Sequence, residues 1–353
     1  MTRVPKVSVV MPSYNHARFV AGAVQSVLGQ SLGDIELVIV DDASTDGTPD
    51  VIAAIRDPRI RFERSPVNRG VAATLNAAIR MSSGDYIAVL NSDDAFLPGK
   101  LERQAELLDT RPELAAVFAY PRFVDDDGRR LSPEQTFYGS VFFAENRSRA
   151  DWLRQFFLRG NCLCHPTAMI RRATHDRVGL YDERLAQLHD LDVWLRVLMR
   201  DEIWVVPEAL LDFRILSGAG NASALRTDTE TRTTWEEARV LRCYADLTDD
   251  LFDRVFGDEM ARLRVDSRQP RAFKLAAVAL ARKTRASILL GLDLLYDALG
   301  PAAAGPPAGV SHGEFARLTG RYDLYGLGLA QQLREQYTAG TPRQHKPPPT
   351  DAS

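Results

Sequence analysis

The sequence predicts an α/β fold, a mostly parallel sheet flanked by helices, followed by a C-terminal helical extension. Three observations carry this. Apolar runs of strand length recur through the first third of the chain. Segments with helical spacing separate them. From Asp228 to Gly300 the pattern turns helical throughout, rich in Leu, Ala, Arg and Asp.

The strand runs are residues 7–11, 36–40, 60–63, 86–90 and 115–119. Between them, Phe19, Ala23, Val24, Val27 and Leu28 form one helical stripe. Val71, Leu75, Ala78 and Ile79 form a second, and Leu97, Leu101, Leu107 and Leu108 a third. Residues 125–150 are polar and weakly periodic and read as a long loop. A second block, 151–220, carries helical segments, among them 191–200, and a strand at 203–206. The expected organisation is one domain over 1–225, with a donor-binding part at 5–120 and an acceptor part at 150–220. A helical extension (226–300) comes next, then a Pro-rich linker, a short helix and a disordered tail (301–353).

Composition narrows the function. The 353 residues are 45% hydrophobic and 26% charged, with a net charge of -3. This is a soluble globular profile with no basic field for nucleic acid. Three cysteines, two of them (Cys162 and Cys164) too close to staple anything, suggest a reducing compartment. No signal segment and no membrane-spanning run stand out, so a cytoplasmic location is expected. Residues 273–299, leucine-rich and studded with Lys and Arg, leave open a peripheral contact with the inner face of a membrane. A homodimer is likewise open.

On a parallel sheet, ligands bind outside the carboxyl ends of the strands, so the residues just after each strand are the ones to weigh. After the first strand come Pro12, Ser13, Tyr14 and Asn15, with no glycine-rich dinucleotide turn. Tyr14 offers a flat face for a base, and Asn15 reads as a helix cap. After the second come Asp41 and Asp42, whose carboxylates suit base N–H groups or ribose hydroxyls. Asp46, Gly47 and Thr48 read as a turn and cap. Asn68 and Gly70 precede the next helix. After the fourth strand come Asn91, Ser92, Asp93 and Asp94, oxygen donors suited to a cation bridging a diphosphate.

Taken together, VSVVMPSYN, ELVIVDDASTDGT, NRGVAATLNAAI and GDYIAVLNSDDAFLPGKL resemble glycosyltransferase family 2, inverting enzymes of the GT-A fold, a Rossmann-like sheet flanked by helices. The resemblance spans about residues 5–220. It implies that Pro12, Tyr14 and Asp42 hold the nucleoside of a nucleotide-sugar donor, usually a UDP-sugar. It makes Asp93 the aspartate that binds Mn²⁺ or Mg²⁺. Three positions depart from the family pattern: Asn91 stands for an aspartate, Leu75 for an arginine, and the loop after Arg214 lacks a histidine.

Inversion is a single displacement and needs a base beside the acceptor hydroxyl. The segment His189-Asp190-Leu191-Asp192-Val193-Trp194 matches the family's acidic pair followed by x-Asp-x-Trp. By that match Asp190 is the base, and His189 replaces the first acid. His165 and Arg214 complete the expected acceptor side, with Arg214 meeting the diphosphate. The acceptor is expected to be a glycan or a lipid-linked sugar, as in cell-surface polysaccharide synthesis. Two other readings compete. A nucleotidyltransferase would want a Gly/Lys-rich triphosphate loop that is absent. A non-catalytic nucleotide- or glycan-binding member with a weakened metal site would bind UDP regardless of metal. Nothing in 228–300 carries a motif.

Overall fold

The computed structural model describes residues 4–221, 224, 226–300, 310–324 and 331–332. The expected linker at 301–307 and the tail from 339 lie outside the described residues. Eight strands form one sheet: β1 (Val7–Ser13), β2 (Ile35–Asp41), β3 (Ile60–Arg64), β4 (Tyr86–Val89), β5 (Ala95–Phe96), β6 (Leu114–Val124), β7 (Met169–Arg171) and β8 (Glu202–Arg214). Their order is β3-β2-β1-β4-β7-β6-β8-β5. The β3-β2-β1-β4 portion is all parallel. Its strand order reverses between β1 and β4, and that reversal opens the crevice where α/β sheets bind ligands. β1 and β2 are buried along their whole length, which is why they read as unbroken apolar runs.

The sheet is mostly parallel, as expected, with short antiparallel pairings added. β7 runs antiparallel to both β4 and β6, and β5 antiparallel to β8. Strands of three and two residues are too short to leave a period. β8 is also far longer than the 203–206 expected. Irregular register against β6 and the Pro207-Glu208 step hide its second half.

The helices are α1 (Val20–Leu28), α2 (Thr48–Ala54), α3 (Val71–Met81), α4 (Lys100–Thr110), α5 (Arg149–Arg159), α6 (Arg172–Val178), α7 (His189–Leu198), α8 (Thr227–Val240), α9 (Asp249–Leu263), α10 (Arg271–Arg282), α11 (Arg285–Leu299) and α12 (His312–Arg321). Contacts divide the chain into Met1–Asp258 and Glu259–Ser353. Thus α8 and most of α9 belong with the sheet. In the second unit, the 273–299 segment is a hairpin of α10 and α11 with most of its apolar residues buried. Among the described residues no helix is long and apolar enough to cross a membrane.

Pro12 sits inside a central strand without breaking it. Val10 accepts from Leu90 on the β4 side, so Pro12, two residues on, faces the same way. The β1–β4 pairing stops at Val10–Val89, so the missing N–H interrupts no ladder bond.

One buried cation invites a test. The Lys100 side chain is fully buried; its Nζ donates to Gln104 Oε1 at 2.7 Å and lies 4.1 Å from the Phe96 ring centre. Burial pulls its pKa down to about 7. Between about pH 7 and 10 the unfolded lysine holds a proton that the folded one lacks, so stability rises with pH across that window. Below pH 7 both states are protonated and the penalty is constant. Lys100→Met is expected to flatten this slope, at about 1.4 kcal/mol per pKa unit. Urea denaturation of both proteins at pH 7 and pH 10 checks it.

Candidate active site

The carboxyl ends of β1, β2 and β4 bring the expected donor residues to one edge. Ser13 ends β1; its carbonyl accepts the Asp42 N–H at 2.8 Å, and its buried hydroxyl has no protein partner. Tyr14 beside it is 45% exposed, a free aromatic face at the mouth of the crevice. Asn15 takes a left-handed conformation (φ 53°) and accepts the Thr45 N–H at 2.8 Å. It staples the first loop to the second instead of capping α1, whose N-cap is Phe19. Asp46 does cap its turn, accepting from Thr48 at 2.9 Å.

Asp41 and Asp42 are both buried and differ in what they hold. Asp41 accepts Ser44 N–H at 2.9 Å and closes its own turn. Asp42 reaches across to the start of α3, accepting the Arg69 and Gly70 N–H groups, each at 2.8 Å. Gly70 supplies the positive φ (88°) that aims those groups. Asn68 is exposed just before them. Leu75, at the position of the family's arginine, is fully buried.

After β4 the acidic turn splits into two roles. Asp94 is locked: its carboxylate accepts Arg214 N–H at 2.8 Å and the Asn91 amide at 3.0 Å. Asn91 therefore spends its nitrogen on Asp94 and keeps its carbonyl. Asp93 is 7% exposed; its own N–H bonds its carboxylate, and His16 Nδ1 lies 4.0 Å away. Burial raises the pKa of both acids, and for Asp94 the neighbouring Asp93 carboxylate adds to it. A nearly unpartnered buried carboxylate with a free amide carbonyl beside it fits a hard divalent cation. Among the described residues no three His, Cys, Asp or Glu side chains gather around one point. Most ligands of such an ion would therefore come from phosphate and water.

Arg214 contacts this turn. Its guanidinium donates to the carbonyls of Asp93 (2.9 Å), Asp125 (2.6 Å) and Asp126 (3.3 Å) and stacks 4.8 Å from the Phe19 ring centre. It belongs structurally to the donor end rather than to the acceptor side where the sequence put it.

The expected acceptor residues form a second cluster. Asp190, half-buried in the first turn of α7, accepts from Asn161 Nδ2 and from the Leu191 N–H, each at 2.7 Å. Burial lifts its pKa to about 6, with the Glu236 carboxylate adding to the rise and those two hydrogen bonds opposing it. His165 bonds Tyr181 Oη at 2.8 Å and touches the His189 and Trp194 rings. His189 is buried, and burial lowers its pKa to about 4 against the opposing pull of the Ala186 backbone. His165 is lowered well below the usual range by burial and by the neighbouring His189 and His175. Asp190 is thus the strongest base of the cluster near neutral pH. The buried thiol of Cys164 links the clusters: after burial, the carboxylates of both Asp94 and Asp190 push its pKa up.

The family model for glycosyl transferase family 2 matches residues 8–179. The chain is also 30% identical over 236 residues to "Putative teichuronic acid biosynthesis glycosyltransferase TuaG" of Bacillus subtilis, covering 66% of this chain and 88% of that protein. The chain belongs to glycosyltransferase family 2. Its fold is similar to S. aureus TarS in complex with UDP-GlcNAc (TM-score 0.53, 18% identity, covering 81% and 83% of the two chains). It is also similar to the mannosyltransferase PcManGT of Pyrobaculum calidifontis in complex with GDP-Man and Mn²⁺ (TM-score 0.50, 19% identity, 96% and 83%). The GT-A architecture expected from the motifs is therefore present, and the protein is a glycosyltransferase.

For this family 2 member, sequence reasoning missed three polar partners. His16 bonds Ser92 Oγ at 2.8 Å and faces Asp93, joining the β1 and β4 loops. Asn161 holds the Asp190 carboxylate. Glu236 holds the loop ahead of it. His16 comes directly after the PSYN run and Asn161 opens the stretch that carries His165, so both were findable on that ground; Glu236 lies far from any motif.

Proposed function

We propose that this glycosyltransferase inverts the anomeric centre of a UDP-sugar while passing the sugar to a hydroxyl of a glycan or lipid-linked acceptor. The observation that carries this is Asp190: a half-buried carboxyl with a pKa near 6, fixed by Asn161 and Leu191, within electrostatic reach of the thiol that also feels Asp94. The acceptor oxygen attacks the anomeric carbon as the bond to the diphosphate oxygen breaks. The electron pair leaves with the diphosphate and the hydroxyl proton passes to Asp190. Tyr14, Asp42 and the backbone around Gly70 bind the nucleoside, and Asp93, with the Asn91 carbonyl, holds Mn²⁺ or Mg²⁺. When bound, that ion neutralises charge on the leaving diphosphate. His165 and His189, neutral and packed with Tyr181, shape the acceptor side without competing for its proton.

UDP as the nucleoside diphosphate is supported by the UDP-GlcNAc complex of TarS, and Mn²⁺ by the PcManGT complex. An acceptor on the way to a surface polysaccharide is supported by the name of the TuaG relative. A thermal-shift panel of UDP- and GDP-sugars with and without Mn²⁺ tests the donor reading. At 100 times Kd, a bound donor adds about 2.7 kcal/mol, a shift of several degrees. Stabilisation by UDP-sugars with Mn²⁺ is expected; stabilisation by GDP-sugars alone overturns the choice of nucleoside.

A further inference from the structure

Glu236 lies on α8, in a stretch of sequence without a motif and outside the residues matched by the family model. Its side chain is nonetheless 1% exposed, and both carboxylate oxygens face one short loop. Oε1 accepts the Ala186 N–H at 2.8 Å; Oε2 accepts the N–H groups of Gln187 at 2.9 Å and Leu188 at 2.8 Å. The loop leads directly into α7. That helix has Leu188 as its N-cap residue, whose apolar side chain cannot accept a hydrogen bond, and no cap bond of its own. The first N–H groups of a helix need acceptors, and a negative charge suits that end of the helix dipole. Glu236, from another helix, accepts the first of these, the Leu188 N–H, and sets its carboxylate ahead of that helix end.

Asp190 stands two residues beyond Leu188. On its far side α7 is held by Arg196, which ion-pairs with Asp192 at 2.6 Å and donates to the Leu180 carbonyl at 2.7 Å. At the near side, Asn161 holds the Asp190 carboxylate itself, while Glu236 holds the loop that leads into the helix. We infer that Glu236 is a positioning residue for the catalytic base: it fixes the 186–188 loop, and through it the start of α7 and the direction of the Asp190 carboxyl. This rests on the reading of Asp190 as the base.

Hydrolysis of the UDP-sugar chosen by the panel, with water in the acceptor's place, reads base function. Calorimetric affinity for UDP with Mn²⁺ reads the donor site. Both are measured on the full chain. Glu236→Gln keeps the size but presents a donor where two acceptors are needed. It is expected to lower kcat at least tenfold, with KM and UDP affinity within twofold of the parent. Wild-type kcat overturns the inference. So does a parallel fall in kcat and UDP affinity, which would mean general loss of structure. Should Glu236→Gln not fold, Glu236→Asp, which keeps the charge but is shorter, carries the same split of kcat from KM. Asp190→Asn run alongside separates the two claims. If it retains turnover, the base reading fails. If it loses turnover while Glu236→Gln does not, only the positioning role fails.

Discussion

Asp190→Asn is expected to lower nucleotide-sugar turnover by roughly 10²–10⁴-fold, the range a positioned general base contributes, while leaving UDP affinity unchanged. The substitution keeps the size of the side chain. It removes the ability to take a proton, and it sets an amide nitrogen against one of the two donors, Asn161 Nδ2 or the Leu191 N–H. The pH profile gives an independent sign. Burial places the Asp190 pKa at about 6, so the carboxylate is ionised above that pH and protonated below it. The rate constant kcat/KM of the parent should therefore fall as pH drops through about 6. Of the titratable groups around it, Glu236 raises the value, while Tyr181 and Cys164, themselves pushed up, are neutral there. His165 and His189 are pushed down and add no positive charge at pH 6. Full turnover in Asp190→Asn, measured by release of UDP, removes Asp190 as the base.

How much of this was legible in the sequence depends on how local each feature is. β1, β2 and β4 are buried on both faces, so their apolar runs announce them, and the loops after them carry the donor residues in a fixed order. The antiparallel pairings were hidden because β5 and β7 span two and three residues and gain their place from neighbours rather than from any period. Within the site the same distinction holds. Asp42 and Asp93 stand at strand ends and could be named. What they hold could not: that Asp42 clamps the Arg69 and Gly70 amides, or that Arg214 ties the acidic turn to Asp125 and Asp126, are contacts across 27 to 121 positions of chain. Glu236 is the extreme case. Its role comes from a partner loop some 50 residues away, and nothing in TWEEARV marks it.

The second large effect is expected at Asp93. Two adjacent carboxylates come after β4, yet only one is available to a cation. Asp94 already accepts the Arg214 N–H and the Asn91 amide and is 2% exposed, so recruiting it would cost two hydrogen bonds in a buried site. Asn91 brings a neutral carbonyl where an aspartate would bring charge. The electrostatic attraction for Mn²⁺ from this turn therefore rests on the single carboxylate of Asp93. Loss of a group that merely orients a metal ligand costs about 10–100-fold in affinity, and loss of the charged ligand itself should cost at least as much. Asp93→Asn is thus expected to abolish the strengthening of UDP binding by Mn²⁺, leaving the weaker, metal-free affinity in place, because Tyr14 and Asp42 are untouched. Calorimetry of UDP binding, with and without Mn²⁺, for both proteins gives four affinities whose ratio isolates the Asp93 contribution. A parent protein that binds UDP equally with and without Mn²⁺ would instead favour a non-catalytic binding member. A variant that keeps the metal effect would place the cation on other ligands, and the asymmetry between Asp93 and Asp94 would then be a matter of packing alone.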